Sequence, residues 1–145
     1  DVMVVEGVGG LLVPLATRSG GKKHDYYTVT DLAVALGYPV VVVVRAALGT
    51  LNHTAMTVEL LRQAGCTVAG LVINGYEPDI ASGPNQDVAM ATNRVWLERM
   101  NRVPILATVP RCPESQVMPH KGQLPEAILE AVGMTYWMDV AGRKG

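Results

Sequence analysis

The chain has 145 residues, 49% of them hydrophobic, which is enough to bury one real core and excludes a disordered segment. Twelve basic and thirteen acidic residues leave a net charge of −1, so there is no electrostatic footprint for nucleic acid or an anionic membrane; small-molecule chemistry or protein contact remains. Two cysteines, Cys66 and Cys112, stand far apart without CxxC spacing, which argues against a zinc site or a disulfide framework and suits a reducing cytoplasm.

Val2–Val5 is apolar without alternation and predicts a strand buried on both faces, ended by Glu6. Because that strand signal begins at Asp1, where no Met stands, a segment upstream of it is expected. Ala16–Tyr27 contains Ser19-Gly20-Gly21-Lys22-Lys23-His24-Asp25 and reads as an exposed loop, with its basic residues either a lid over phosphates or a solvated charged stretch. Val29, Leu32, Ala33 and Leu36 recur at helical spacing before Gly37 and Pro39, predicting a helix and its stop. Val40–Val44 follows as the next buried strand and is far too short to cross a bilayer.

Leu51, Ala55, Val58 and Leu61 mark one face of a second helix ending at Gly65, and Val68–Ile73 is a strand stopped by Asn74-Gly75. Glu77–Asn85 carries Pro78, Gly83 and Pro84 and reads as a loop. Val88, Val95, Trp96 and Met100 suggest a helix, Ile105–Val109 a strand, and Leu124, Ile128, Leu129 and Val132 a terminal helix. Trp96, Met100 and Trp137 are expected in core or interface. Strands alternating with helices predict an α/β domain over residues 1–145, a mostly parallel sheet with flanking helices.

Ligands of open α/β sheets collect at the carboxyl ends of strands, so the residues just beyond each strand carry the functional reading. Glu6-Gly7-Val8-Gly9-Gly10 joins a carboxylate able to hold Mg²⁺ to glycines whose N–H groups can approach an anion; it reads equally as a tight turn. Leu48-Gly49-Thr50 opens a helix with Thr50 as a candidate N-cap, and such a terminus is a ready carboxylate or phosphate site. Asn52 and His53 are poor helix formers in its first turn. Asn74-Gly75 is either a turn or an amide matching the N6/N7 edge of adenine. Pro110-Arg111 can pack along a purine ring or be an ordinary loop. Asp31, near a helix start, fits the helix dipole better than catalysis.

Taken in order, these segments resemble the dethiobiotin synthetase family. Val5-Glu6-Gly7-Val8-Gly9-Gly10 is similar to its VEGAGG segment, with Val8 where Ala is usual. Leu48-Gly49-Thr50-Leu51-Asn52-His53 is similar to its LGxxNH segment. Ala69-Gly70-Leu71-Val72-Ile73-Asn74 and Ala107-Thr108-Val109-Pro110 match its later strand ends. The resemblance runs from Asp1 to near Pro110 and implies a P-loop NTPase-like fold. It also implies an ATP- and Mg²⁺-dependent ligase that forms dethiobiotin from 7,8-diaminopelargonic acid and CO₂, as a cytoplasmic homodimer. By the same resemblance Glu6 holds the metal, and Glu6, Gly7, Val8, Gly9, Asn74, Gly75, Pro110, Arg111 and Cys112 lie along ATP. Gly10, Leu48, Gly49, Thr50 and Asn52 then receive the substrate.

No G-x-x-x-x-G-K-[ST] occurs among the 145 residues, whereas the family carries that loop and its lysine upstream of VEG. The sheet is therefore expected to lack its N-terminal strands, and the catalytic residues are unassigned. Two other classes stay open: a non-catalytic binding or oligomerisation module of the same fold, and a sister P-loop amidoligase such as a cobyrinic acid synthase.

Overall fold

The computed structural model describes residues 3–17, 26–82, 84, 86–113 and 121–142. Its centre is a parallel sheet of β3 (Val40–Arg45), β4 (Val68–Tyr76) and β5 (Ile105–Pro110), in the spatial order β3-β4-β5. The crossover from β3 to β4 is the helix α2 (Thr50–Gln63). That from β4 to β5 runs through α3 (Pro78–Ser82) and α4 (Val88–Asn101). Parallel neighbours need such crossovers, and the crossovers cover the sheet.

Side chains alternate across the sheet, and helices cover both faces of β4 and β5, as their unbroken apolar runs suggest. In β3, expected as a buried strand over Val40–Val44, only Val44 is fully buried and Val43 is 64% exposed, because among the described residues β3 has a strand partner on one side alone. On one face Val44, Leu71 and Ile73 pack with Val58 of α2 and Met90 and Leu97 of α4. On the other, Val72, Ala107 and Val109 pack under Ile128, Ala131 and Val132 of α5 (Glu126–Gly133) and Trp137 of α6 (Trp137–Ala141). The Trp137 indole N–H donates to the Val132 carbonyl at 2.9 Å, the polar partner that a buried tryptophan needs. Among the described residues no helix is long and apolar enough to cross a membrane.

Before the sheet comes a two-stranded antiparallel ribbon, β1 (Pro14–Thr17) with β2 (Tyr26–Thr28). The sequence suggested loop at Ala16–Thr17 and Tyr26–Tyr27, and pairing between the two segments makes them strands instead. Residues 18–25, including Lys22, Lys23 and His24, lie outside the described residues. Helix α1 (Val29–Leu36) runs where the periodicity predicts and closes at Gly37. Its start is a capping box: the Asp31 backbone N–H donates to the Thr28 hydroxyl, and the Thr28 N–H donates to the Asp31 carboxylate at 2.7 Å. Asp31 is thus a cap residue. Thr28→Ala is expected to cost about 1 kcal/mol, measurable as a lowered denaturation midpoint; an unchanged midpoint would remove the box from the stability of α1.

Several sequence expectations are corrected. Met3–Val5 do not form a buried strand; they are 71%, 87% and 44% exposed. An apolar run shows capacity for burial, but burial itself needs neighbouring strands and covering layers, and among the described residues none pairs with this segment. Strand β4 does not stop at Asn74-Gly75 but runs to Tyr76. There the register shifts between Asn74 and Tyr76, with Gly75 at φ 76 supplying a left-handed step that a side chain resists. The loop expected over Glu77–Asn85 contains α3, whose first residue is Pro78; proline is tolerated there because that N–H has no helical partner.

Helix α4 exists as predicted but buries a different face. Met90, Asn93, Leu97 and Asn101 point inward, while Val88, Val95, Trp96 and Met100 are about half exposed or more. The two asparagines can face the core because their amides have partners: Asn93 bonds carbonyls of the β3–α2 loop, and Asn101 bonds the Leu97 carbonyl at 2.7 Å. Leu124 precedes α5 and is exposed, as is Leu129; Ile128 and Val132 carry the packing.

Candidate functional site at the strand ends

The carboxyl ends of β3, β4 and β5 share one edge because the three strands are parallel and adjacent. After β3, Arg45 pairs with Asn74 in the ladder, and the Ala46 N–H donates to the Asn74 carbonyl at 3.1 Å. The chain then bends through Ala47 and Leu48, the latter 88% exposed, into α2. The N-cap is Gly49, at φ 89, and not Thr50. Thr50 is the first helical residue; its hydroxyl is buried 3.5 Å from that of Thr54, so it packs inward instead of capping. A left-handed φ at this point explains the glycine.

Among the described residues no side chain caps α2. This sets it apart from α1, whose first N–H groups are all used: Val29 donates to Val13 O, Thr30 to Leu11 O, and Asp31 to the Thr28 hydroxyl. The Thr50 N–H donates to the Ala47 carbonyl at 3.4 Å, while the N–H groups of Leu51 and Asn52 find no acceptor among the described residues, so an anion arriving there meets those two donors and the positive end of the helix dipole. Asn52 is exposed, and among the described residues its amide reaches only the Met56 sulfur at 4.0 Å.

After β4, the Asn74 backbone is locked in the sheet while its side chain is exposed and, among the described residues, makes no hydrogen bond. Gly75 follows at the bulge. After β5, Pro110 pairs with Tyr76, and the Arg111 N–H donates to the Tyr76 carbonyl at 2.9 Å. The Arg111 guanidinium bonds the Glu77 carboxylate at 3.1 Å. With the arginine side chain 72% exposed, this pair fixes direction more than it stabilises. Cys112 is a free thiol, half-buried beside it. Burial pushes the Cys66 thiol upward, away from the thiolate form that a nucleophile needs.

The structure therefore brings Leu48, Gly49, Thr50, Asn52, Asn74, Gly75, Pro110, Arg111 and Cys112 to one edge. For Glu6, Gly7, Val8, Gly9 and Gly10 the contacts seen run to Val13 and to the start of α1. A Cβ on Gly7 would lie 2.9 Å from Val29 Cγ1, and one on Gly9 3.1 Å from Val13 Cγ2; the Val13 N–H donates to the Gly10 carbonyl at 3.0 Å. Glu6 is exposed, and among the described residues no three His, Cys, Asp or Glu side chains cluster. Its lone carboxylate suits a Mg²⁺ that keeps its waters and takes its other ligands from phosphates.

Beneath the edge is a cavity of about 160 Å³, lined by Ala46, Ile73, Tyr76, Asn93, Arg94 and Thr108 among others. The buried Thr108 hydroxyl there has no hydrogen-bond partner among the described residues. The sequence reading missed Asn93, Arg94 and the Glu77 partner of Arg111. The available signal was the pair Asn93 and Asn101, eight residues apart in a helix and in line with Leu97.

Residues 1–118 match a family model described as an AAA domain. Curated relatives include the ATP-dependent dethiobiotin synthetase BioD of Anaeromyxobacter dehalogenans, 46% identical over 112 residues, or 77% of this chain and 44% of the relative. That of Thermodesulfovibrio yellowstonii is 42% identical over 110 residues, 76% of this chain and 43% of the relative. The chain thus spans less than half the length of these curated relatives. Together with a parallel sheet whose motif-bearing strand ends share one edge, the match places this chain in the AAA domain family and, within it, in the dethiobiotin synthetase family.

Proposed function

We propose that the protein closes the cyclic urea of dethiobiotin from 7,8-diaminopelargonic acid and CO₂, using ATP and Mg²⁺. The observation that carries this reading is the gathering of Leu48–Asn52, Asn74–Gly75 and Pro110–Cys112 on one edge, with a helix start that no side chain among the described residues caps. CO₂ adds to one amine to give a carbamate, which takes the terminal phosphoryl group of ATP. The second amine then displaces phosphate and closes the ring, leaving ADP and phosphate.

The residues of this chain bind and orient. The Asn74 amide pairs with the N6/N7 edge of adenine, Gly75 leaves room for the base, and Pro110, Arg111 and Cys112 lie along it. Gly49, Thr50 and Asn52, with Leu48 and Gly10, receive the substrate carboxylate at the α2 start. Glu6 contributes one carboxylate to Mg²⁺, which supplies charge neutralisation to the phosphates, and the Glu6–Gly9 backbone lies near the nucleotide. That last role rests on the resemblance alone, since the contacts seen for this segment run to Val13 and α1. None of the 145 residues forms a P-loop, so no lysine here is assigned to the phosphoryl group.

A homodimer fits the exposed apolar residues Val95, Trp96 and Met100 of α4, the last of which lines one surface depression with Met56 of α2. Trp96→Glu is expected to shift the protein to monomer in sedimentation; an unchanged dimer would move the interface elsewhere. A cytoplasmic location fits the free thiols of Cys66 and Cys112. The deciding assay is dethiobiotin formation from the diamino acid, bicarbonate and ATP. Absence of product, under conditions where a curated relative works, would leave a non-catalytic module of the same fold.

A further inference from the structure

We infer that Asn93, a residue on α4, positions the β3–α2 loop so that its backbone donors face the substrate carboxylate. The inference rests on the proposed function, in which the Leu48–Asn52 segment receives that carboxylate. Asn93 is 5% exposed, and its side-chain amide donates to the carbonyls of Ala46 at 3.0 Å and Ala47 at 3.2 Å. These acceptors lie more than forty residues away in the chain, so the bonds tie a crossover helix to the bend that leads into α2.

Peptide units are planar and trans, and no cis bond occurs among the described residues, so each C=O points opposite to the N–H of the same unit. Drawing the Ala46 and Ala47 carbonyls onto Asn93 turns the N–H groups of Ala47 and Leu48 away from α4. Both residues are exposed, and among the described residues neither N–H finds an acceptor. Two loop donors therefore precede the N–H groups of Leu51 and Asn52 in the first turn of α2, which among the described residues no side chain caps. Successive N–H groups of this kind form an anion-binding concavity.

Packing alone does not call for an amide at this position. Met90 and Leu97 fill the same face of α4 with apolar side chains, and leucine at position 93 would match them in character. What leucine cannot do is hold the Ala46 carbonyl, and it leaves the Ala47 carbonyl to the Thr50 N–H alone, at 3.4 Å. Released, the loop samples other peptide orientations, and the carboxylate must reorder it on binding, which weakens affinity without touching the reacting amines. Asn93 is accordingly a positioning residue and contacts no reacting atom.

The test is steady-state kinetics of the intact protein with 7,8-diaminopelargonic acid and with the same diamine lacking its carboxyl group. Asn93→Leu is expected to raise KM for the diamino acid roughly tenfold, as for loss of one charge-assisted hydrogen bond, with kcat nearly unchanged. KM for the diamine without a carboxylate should be the same in parent and variant. KM does not depend on the folded fraction, so partial unfolding cannot imitate this pattern. If Asn93→Leu yields no folded protein, Asn93→Gln, which keeps the donor one methylene further out, should show a smaller rise in the same direction. Equal KM changes for both amines, or unchanged KM for the diamino acid, overturns the inference while leaving the proposed function standing. A parent that forms no dethiobiotin overturns that function and the role of Asn93 with it.

Discussion

Gly70→Ala is expected to destabilise the fold by about 3 kcal/mol, at the upper end of ordinary overpacking costs. Gly70 lies in the central strand β4, paired with Val41. A Cβ there would meet Leu106 Cγ at 2.6 Å, the Pro104 carbonyl oxygen at 2.8 Å and Leu106 Cδ1 at 2.9 Å. Rotation of Leu106 relieves two of these contacts. It cannot relieve the third, because the Pro104 carbonyl accepts from the Leu71 N–H at 2.9 Å and so belongs to the β4–β5 ladder. Insertion of the methyl must part the two strands or bend β4. Chemical denaturation should show a lower midpoint with little change in slope. A loss below about 0.5 kcal/mol, the range of neutral surface substitutions, would mean that β5 is free to shift and that the sheet edge is less rigid than described.

The second large effect concerns the nucleotide. On the proposed function, Asn74→Ala removes a donor and an acceptor from the adenine edge, and such a bidentate pair discriminates bases by about 1–3 kcal/mol. KM for ATP is expected to rise roughly tenfold to a hundredfold, and preference for ATP over GTP should fall by a similar factor. The Asn74 backbone stays in the ladder with Arg45 and Val109, and its side chain is exposed, so the denaturation midpoint should hold. An Asn74→Ala protein with unchanged nucleotide preference would take base reading away from this residue. A protein that lost preference and stability together would point to a structural cause.

Much of the fold was legible because local signals and tertiary demands agree. The helix at Val29–Leu36 has apolar spacing, a Thr-Asp capping box and a closing glycine, all written within ten residues. Val40–Arg45 and Ile105–Pro110 read as strands from their apolar runs, and both form; Ile105–Pro110 packs between covering layers, whereas Val43 of the edge strand β3 stays exposed. The motif-bearing strand ends could be named for the same reason: turns and helix starts are local, and topology collects them at one edge.

Where the reading failed, a distant partner decided the outcome. Apolar content marked α4 by Val88, Val95, Trp96 and Met100 and left Trp96 and Met100 to core or interface; they are not in the core of this chain. The structure buries Asn93 and Asn101 instead, because carbonyls across the fold or one turn back satisfy their amides. The periodicity of one helix cannot reveal such acceptors. The same holds for Thr50, which looks like a cap by type but turns inward to Thr54 and leaves the capping position to Gly49.

The sequence by itself determined the alternation of strands and helices, the order of the motifs, and the chemistry available at Glu6–Gly10, Leu48–Asn52, Asn74–Gly75 and Pro110–Cys112, since these depend on residue type and near-neighbour spacing. Tertiary structure alone decided which of them meet. Parallel pairing of β3, β4 and β5 brings three of the segments together, while the contacts seen for Glu6–Gly10 run to Val13 and Val29. It also decided that α4 turns an asparagine inward to orient a loop. Those outcomes depend on contacts between residues far apart in the chain, which no local pattern encodes.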